Sequence, residues 1–168
     1  MSLVISICGS GANDDSLSEK VLQLAEEVGR SVASRQAVLL SGGKEGVMKA
    51  ACKGAKQNEG ITIGILPYNK DEANEFVDIS LPTQMGHGRN KLIVSMADAV
   101  IAICGRFGTL NEISEALVQR KPLVLLKGSG GIVDRLIQAN VFSEDDEFVR
   151  IAVDADDAVS QAILLVRK

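Results

Sequence analysis

Apolar residues in this chain fall into two alternating rhythms. Short β-branched and aliphatic runs at 3–8, 37–40, 61–66, 99–103, 123–126 and 148–153 have the length and composition of buried strands. Between them, stretches with apolar residues three and four apart predict helices over about 17–33, 45–56, 88–96 and 110–119. Two more follow, one after Gly128-Ser129-Gly130-Gly131 to about 139, and one from 155 to the end. A looser segment around 76–81 leads into the helix at 88. Strand then helix, repeated at this spacing, implies a mostly parallel sheet, because each crossover helix must pack back onto the sheet it came from. The expected fold class is therefore α/β, a doubly wound Rossmann-like sheet with helices on both faces, in a single domain over 1–168.

Composition narrows the function classes. With a formal charge of −4, one Tyr, four Phe and no Trp, the chain lacks the basic stripe and the stacking residues of a nucleic-acid surface. No apolar stretch reaches the ~20 residues needed to span a bilayer, and the first ten residues carry no signal-peptide pattern, so a cytoplasmic protein with no membrane partner is expected. Cys8, Cys52 and Cys104 are odd in number and widely spaced, and His87 stands alone, which predicts neither disulfides nor a metal site. Cys8 and Cys104 end apolar runs and read as core. The acidic cluster at 143–147 reads as a solvated loop.

Glycines concentrate where strands turn into helices: Gly9 and Gly11, then Gly42, Gly43 and Gly46, then Gly105 and Gly108. In doubly wound folds these turns sit at the carboxyl ends of the strands, where ligands bind and backbone N–H groups meet anions. A tight turn asks for glycine by itself, but three such turns together favour a ligand, with Gly9 and Ser10 contributing from the first. The usual nucleotide fingerprints are missing. The stretch at 9–14 lacks the third glycine of a dinucleotide loop, Ser41 stands where a ribose-binding acid is expected, and no GK[ST] follows Gly42 at P-loop spacing.

The stretches SGGKEGVMKAACKGAKQNEGITIGILP (41–67) and GHGRNKLIVSMADAVIAICGRFGTLNEISEAL (86–117) resemble the LOG-like family, once labelled "possible lysine decarboxylase". That family includes cytokinin-type phosphoribohydrolases and molybdenum-cofactor carrier proteins. The resemblance implies that Gly42, Gly43, Gly46, Val47 and Met48 line a ligand site, and that Gly105, Gly108 and Thr109 offer donors to a phosphate. It also pairs Arg89 with Glu112, whose counterparts in the hydrolases are catalytic; a carboxylate there stabilises the ribosyl cation formed as an N-glycosidic bond breaks. No cofactor is required in either branch, and lysine decarboxylation is implied by neither. The ligand expected is a nucleoside monophosphate or the pterin phosphate of the molybdenum cofactor. A homodimer or homotetramer is implied, with Ile93, Met96, Ile113, Leu117 and Val118 available for core or interface. The hydrolases read PGGxGTxxE after an Arg-Lys pair; here Cys104, Arg106 and Asn90 replace the proline, the second glycine and the lysine. Those departures resemble the carrier branch.

Residue chemistry leaves two roles open for Glu112. Thr109-Leu110-Asn111-Glu112 has the form of a capping box, as does Ser16-Leu17-Ser18-Glu19, so Glu112 reads either as a cap or as an acid over a ligand. Arg89 shares a predicted helix face with Leu92, Ile93 and Met96, which points it inward, toward Glu112 as an ion pair or toward a ligand phosphate. Lys44, His87 and Arg106 stand close enough in sequence to extend such a site, or to be solvated.

Overall fold

The structure is a computed structural model that describes residues 2–142 and 146–167. Its strands are β1 (Val4–Gly9), β2 (Val38–Ser41), β3 (Thr62–Leu66), β4 (Ile79–Pro82), β5 (Ala99–Ile103), β6 (Leu123–Leu126) and β7 (Val149–Ala152). The helices are α1 (Glu19–Ser34), α2 (Val47–Gln57), α3 (Asn90–Met96), α4 (Phe107–Val118), α5 (Gly131–Gln138) and α6 (Ala155–Val166), with 3-10 turns at Lys70–Glu72 and Gly86–Arg89. All seven strands join one parallel sheet in the order β4-β3-β2-β1-β5-β6-β7. The α/β doubly wound expectation holds. The looser segment at 76–81 is not loop throughout: its end is β4, the edge strand, with Ile79 opposite Ile63. Edge pairing on one side supplies β4's backbone bonds without an apolar run long enough to announce a strand.

Helices cover both faces. On one, α1, α2 and α6 pack over Ile5, Ile7, Leu39, Ile101 and Ile103. On the other, α3, α4 and α5 pack over Cys8, Leu40, Val100, Ala102 and Leu123. The alternation Ile5, Ile7 against Cys8 along β1 is the two-residue period of a strand buried on both sides. Cys8, Cys52 and Cys104 are all buried and free.

The tightest helix crossing is α1 on α2. A Cβ at Gly29 would overlap the carbonyl of Ala51, and one at Gly54 would overlap the carbonyl of Glu26, so the two backbones touch through paired glycines. Glycine is tolerated in mid-helix here because no other residue lets the axes approach so closely. Gly54→Ala is expected to push the helices apart and cost about 2 kcal/mol by overpacking, read as a lower urea midpoint at unchanged slope.

Several boundaries differ from the sequence reading. The box at 16–19 is not formed: Ser18 is the N-cap of α1, and its Oγ accepts from Val21 N–H at 3.3 Å. Ser16 instead binds Asp14. Arg89 ends a 3-10 turn before α3, and Met96 is 53% exposed, so the predicted shared face holds for Ile93 but not for Met96. The acidic loop expected at 143–147 lies, over 143–145, outside the described residues. Among the described residues no helix is long and apolar enough to cross a membrane.

Candidate ligand-binding site

The sheet order reverses at β1, whose neighbours β2 and β5 lead away in opposite directions. Loops leaving β1 and β5 must therefore part beyond Gly9 and Ile103, and a crevice opens at this switch point. It is a cleft of about 460 Å³. The loop from Gly9 to Asp14 forms one wall; Lys44, Glu45 and Met48 at the start of α2 form another; His87, Arg89 and Asn90 face Arg106, Gly108, Thr109 and Glu112 across it.

Ser10 ties these walls together. It is buried, its Oγ accepts from Gly105 N–H at 2.8 Å, and its carbonyl accepts from Val47 N–H at 2.9 Å. At Gly46 φ is +78°, and a Cβ there would collide with the Ser10 carbonyl oxygen, so that position requires glycine. The Gly105 N–H expected for a phosphate is thus taken up inside the protein. Ser10→Ala should leave that amide buried without an acceptor and lower stability by about 2 kcal/mol, checked by urea unfolding.

The chain enters α4 at Arg106, three residues earlier than the periodicity suggests. Thr109 accordingly lies inside the first turn, Arg106 is the N-cap without a side-chain bond, and the expected box between Thr109 and Glu112 does not exist. The physical reason is the turn at Gly105, φ +88°, which reverses the chain directly after β5. The first bond of the helix runs from Leu110 N–H to Arg106 O at 2.9 Å; the N–H groups of Gly108 and Thr109 find no acceptor among the described residues. Two donors at a positive helix end are left at the cleft. Asn90 holds this turn in place, its Nδ2 donating to Asn111 Oδ1 at 3.0 Å and to Gly108 O at 3.5 Å.

Freed from capping, Glu112 points into the cleft. It is 8% exposed and, among the described residues, accepts no hydrogen bond and makes no ion pair. Burial pushes its pKa up to about 8, with the nearby charge of Arg89 acting in the opposite direction. Arg89 is equally buried. Its Nε donates to Ile65 O at 2.8 Å and its Nη1 to Gly86 O at 2.9 Å, which fixes the guanidinium plane. Nη2 has no partner among the described residues; it lies beside Gly42, 3.2 Å from where a Cβ would stand. Burial draws the Arg89 pKa below its ordinary value, and Glu112 opposes that. The two groups face one cleft without forming the ion pair considered from sequence.

Of the residues expected at the site, Gly9, Ser10, Met48, Arg89, Gly108, Thr109 and Glu112 line the cleft. Gly42, Gly43, Gly46, Val47 and Gly105 shape it from behind. Gly42 lies under Met48 and Arg89, Gly43 N–H donates to Ser41 Oγ, and fully buried Val47 packs beneath Gly9. Sequence reasoning missed Asp14, whose Oδ1 accepts from the Ser16 amide and hydroxyl while Oδ2 is buried without a partner. Burial raises the Asp14 pKa, but the hydrogen bonds from Ser16, the nearby Ser10 hydroxyl and the charge of Arg106 outweigh it and hold the carboxyl below its usual value. The Asp-x-Ser spacing of an Asx turn was the available signal. Lys44 is occupied at the rim by Glu72, 3.3 Å away. Among the described residues no three His, Cys, Asp or Glu side chains converge as metal ligands.

A cleft at a switch point, with helix N-terminal amides, a guanidinium unpaired among the described residues and a buried acid, is the arrangement in which doubly wound α/β proteins bind small ligands. The chain matches the SLOG cluster4 family over residues 2–162 and belongs to it. It is 34% identical to the molybdenum cofactor binding protein of Rippkaea orientalis, covering 99% of this chain and 98% of that one with a TM-score of 0.85. Its likeness to the molybdenum cofactor carrier protein of Chlamydomonas reinhardtii covers 100% of both chains, at 31% identity and TM-score 0.84. It is also 31% identical to the cytokinin riboside 5′-monophosphate phosphoribohydrolase of Mycobacterium tuberculosis, over 58% of this chain and 54% of that protein. The chain thus spans about half the length of that curated relative.

Proposed function

We propose that the cleft holds a small phosphorylated ligand, a pterin phosphate of the molybdenum-cofactor type or a nucleoside monophosphate, and acts as a carrier. One observation carries this reading: Arg89 is buried and oriented by two carbonyls, yet makes no ion pair among the described residues. A buried guanidinium without an anion is costly, and a phosphate supplies one in a geometry that suits its fork. Gly108 and Thr109 add helix N-terminal donors on the facing wall. Full-length likeness to the two molybdenum cofactor proteins supports the pterin ligand.

Phosphoribohydrolase activity is the second reading, supported by Arg89 and Glu112 facing the same cleft. Against turnover, a Glu112 with a pKa of about 8 keeps its proton at neutral pH and offers little negative charge to a ribosyl cation. Asn90, where the hydrolases have lysine, is occupied with Asn111. The test is purified protein with AMP, GMP and other nucleoside monophosphates, scored for free base and ribose 5-phosphate, beside equilibrium binding of the same compounds and a pterin phosphate. Binding without base release is expected; base release lost in Glu112→Gln would establish the hydrolase instead.

Self-association is proposed through the outer faces of α3 and α4. Ile93 and Ile113 belong to the core at 1% exposure each, leaving Met96 and Val118, 53% and 81% exposed, for a partner copy. Val118→Asp is expected to lower the mass measured by light scattering to that of the monomer. An unchanged mass would move the interface elsewhere.

A further inference from the structure

Beyond Asp14 and Arg106 the cleft does not end. These two residues also line a second groove of about 390 Å³, bounded by Asp15, Phe107, Ile132 and Arg135. Its floor is rigid: Ile132 and Val133 N–H donate to the carbonyls of Gly105 and Cys104, joining the start of α5 to the turn before α4. The N-terminus of α5 is therefore satisfied internally and is not what the groove offers.

It offers three kinds of side chain. Phe107 is 79% exposed, a full aromatic face kept in water by a chain that has only four Phe. Arg106 and Arg135 make no ion pair or hydrogen bond with another side chain among the described residues, although the protein carries a net charge of −4. Asp14 is held ionised in the shared wall with Oδ2 unpartnered, and Asp15 stands exposed beside it. An aromatic face, cations and a hydroxyl-accepting carboxylate are the complement of a base, a phosphate and a ribose. The cation Arg106 stands where the two grooves meet, so a ligand passing from one to the other carries its negative charge there.

We propose that the second groove is a nucleoside subsite, and that the whole site accepts a two-part ligand whose halves are joined through a diphosphate. The inference rests on the phosphorylated ligand assigned to the main cleft. One half lies over Arg89 and Glu112; the diphosphate crosses at Arg106; the second base stacks on Phe107 with Arg135 at its edge. The dinucleotide fingerprint absent from residues 9–14 is no obstacle, because the aromatic face and the cations of this subsite come from the turns after β5 and β6, and the loop after β1 adds only the carboxylates of Asp14 and Asp15.

The test compares GMP, GDP and diguanosine 5′,5′-diphosphate by isothermal titration on the full chain, with Phe107→Ala and Arg135→Ala as variants. GMP occupies the main cleft alone, and GDP separates the second phosphate from the second base. The expected result is diguanosine diphosphate bound about 10-fold or more tighter than GDP, a gain lost in both variants while GMP affinity stays unchanged. Equal affinity for GDP and the dinucleotide, or variants that weaken GMP as much as the dinucleotide, would overturn the subsite and leave the main cleft standing. No binding of GMP, GDP or the dinucleotide would overturn both. Thermal unfolding of each variant without ligand confirms that exposed Phe107 and Arg135 can be changed without loss of fold.

Discussion

Arg89→Gln is expected to weaken binding of a nucleoside monophosphate or pterin phosphate by about 100-fold, the usual cost of deleting one member of a desolvated charge pair. Among the described residues its guanidinium is the one group at the cleft that is positive, buried and already oriented, by Ile65 O and Gly86 O. Preorganisation of this kind means that little conformational entropy is lost on binding. Arg89→Lys keeps the charge but not the fork, and cannot satisfy both carbonyls while reaching the ligand. It should fall between the two, about 10-fold weaker than the parent. Both variants are to be compared by titration calorimetry, with circular dichroism to confirm the fold. Undiminished affinity in Arg89→Gln would refute the anion site. A loss as large in Arg106→Gln as in Arg89→Gln would relocate the main phosphate toward the rim.

Glu112 should make stability depend on pH in a direction opposite to that of most carboxylates. Its folded pKa of about 8 lies above the ordinary value of 4.5, because the buried site disfavours the charged form. The folded protein therefore keeps a proton that the unfolded chain has already released. Stability from this group is fully present below about pH 4.5, declines as pH rises, and is gone above about pH 8. The change amounts to a few kcal/mol across that window. Glu112→Gln has the same shape and no proton to lose, so it should be about as stable as the parent at pH 5 and clearly more stable at pH 8.5. Urea unfolding of both proteins at those two values isolates the contribution, since every other titrating group is common to the pair. Parallel profiles would show that Glu112 is ionised when folded, which would restore the hydrolase reading. Anion binding should follow the same window, weakening above about pH 8 as a negative charge appears opposite the phosphate.

Much of the cleft is legible in the sequence. Glycines bunched after three strands marked the edge where the cleft opens, and the GxxGTxxE stretch brought Glu112 there. What misled was local pattern. The residues from Thr109 to Glu112 carry a capping box, and nothing in those four residues reveals that Gly105 turns the chain early enough to place Thr109 inside the helix. Arg89 was read as inward-facing from a helix it only precedes, and its inward direction comes instead from bonds to Ile65 and Gly86. The glycines themselves divided. Gly9 and Gly108 line the cleft, while Gly43, Gly46 and Gly105 let one loop pass against another, a distinction of tertiary contact that one-dimensional spacing does not contain.

By itself the sequence determined the alternation of strand and helix, the parallel connection that follows from it, and the edge at which the cleft opens, because periodicity and turn chemistry are local properties of the chain. Only the tertiary structure decided that Ser10 joins three loops, that Asp14 belongs to the cleft, and that Arg89 and Glu112 face it without pairing. Those outcomes depend on which carbonyls and walls a side chain meets across 24 or 95 residues of separation, and such encounters are set by packing of the whole sheet.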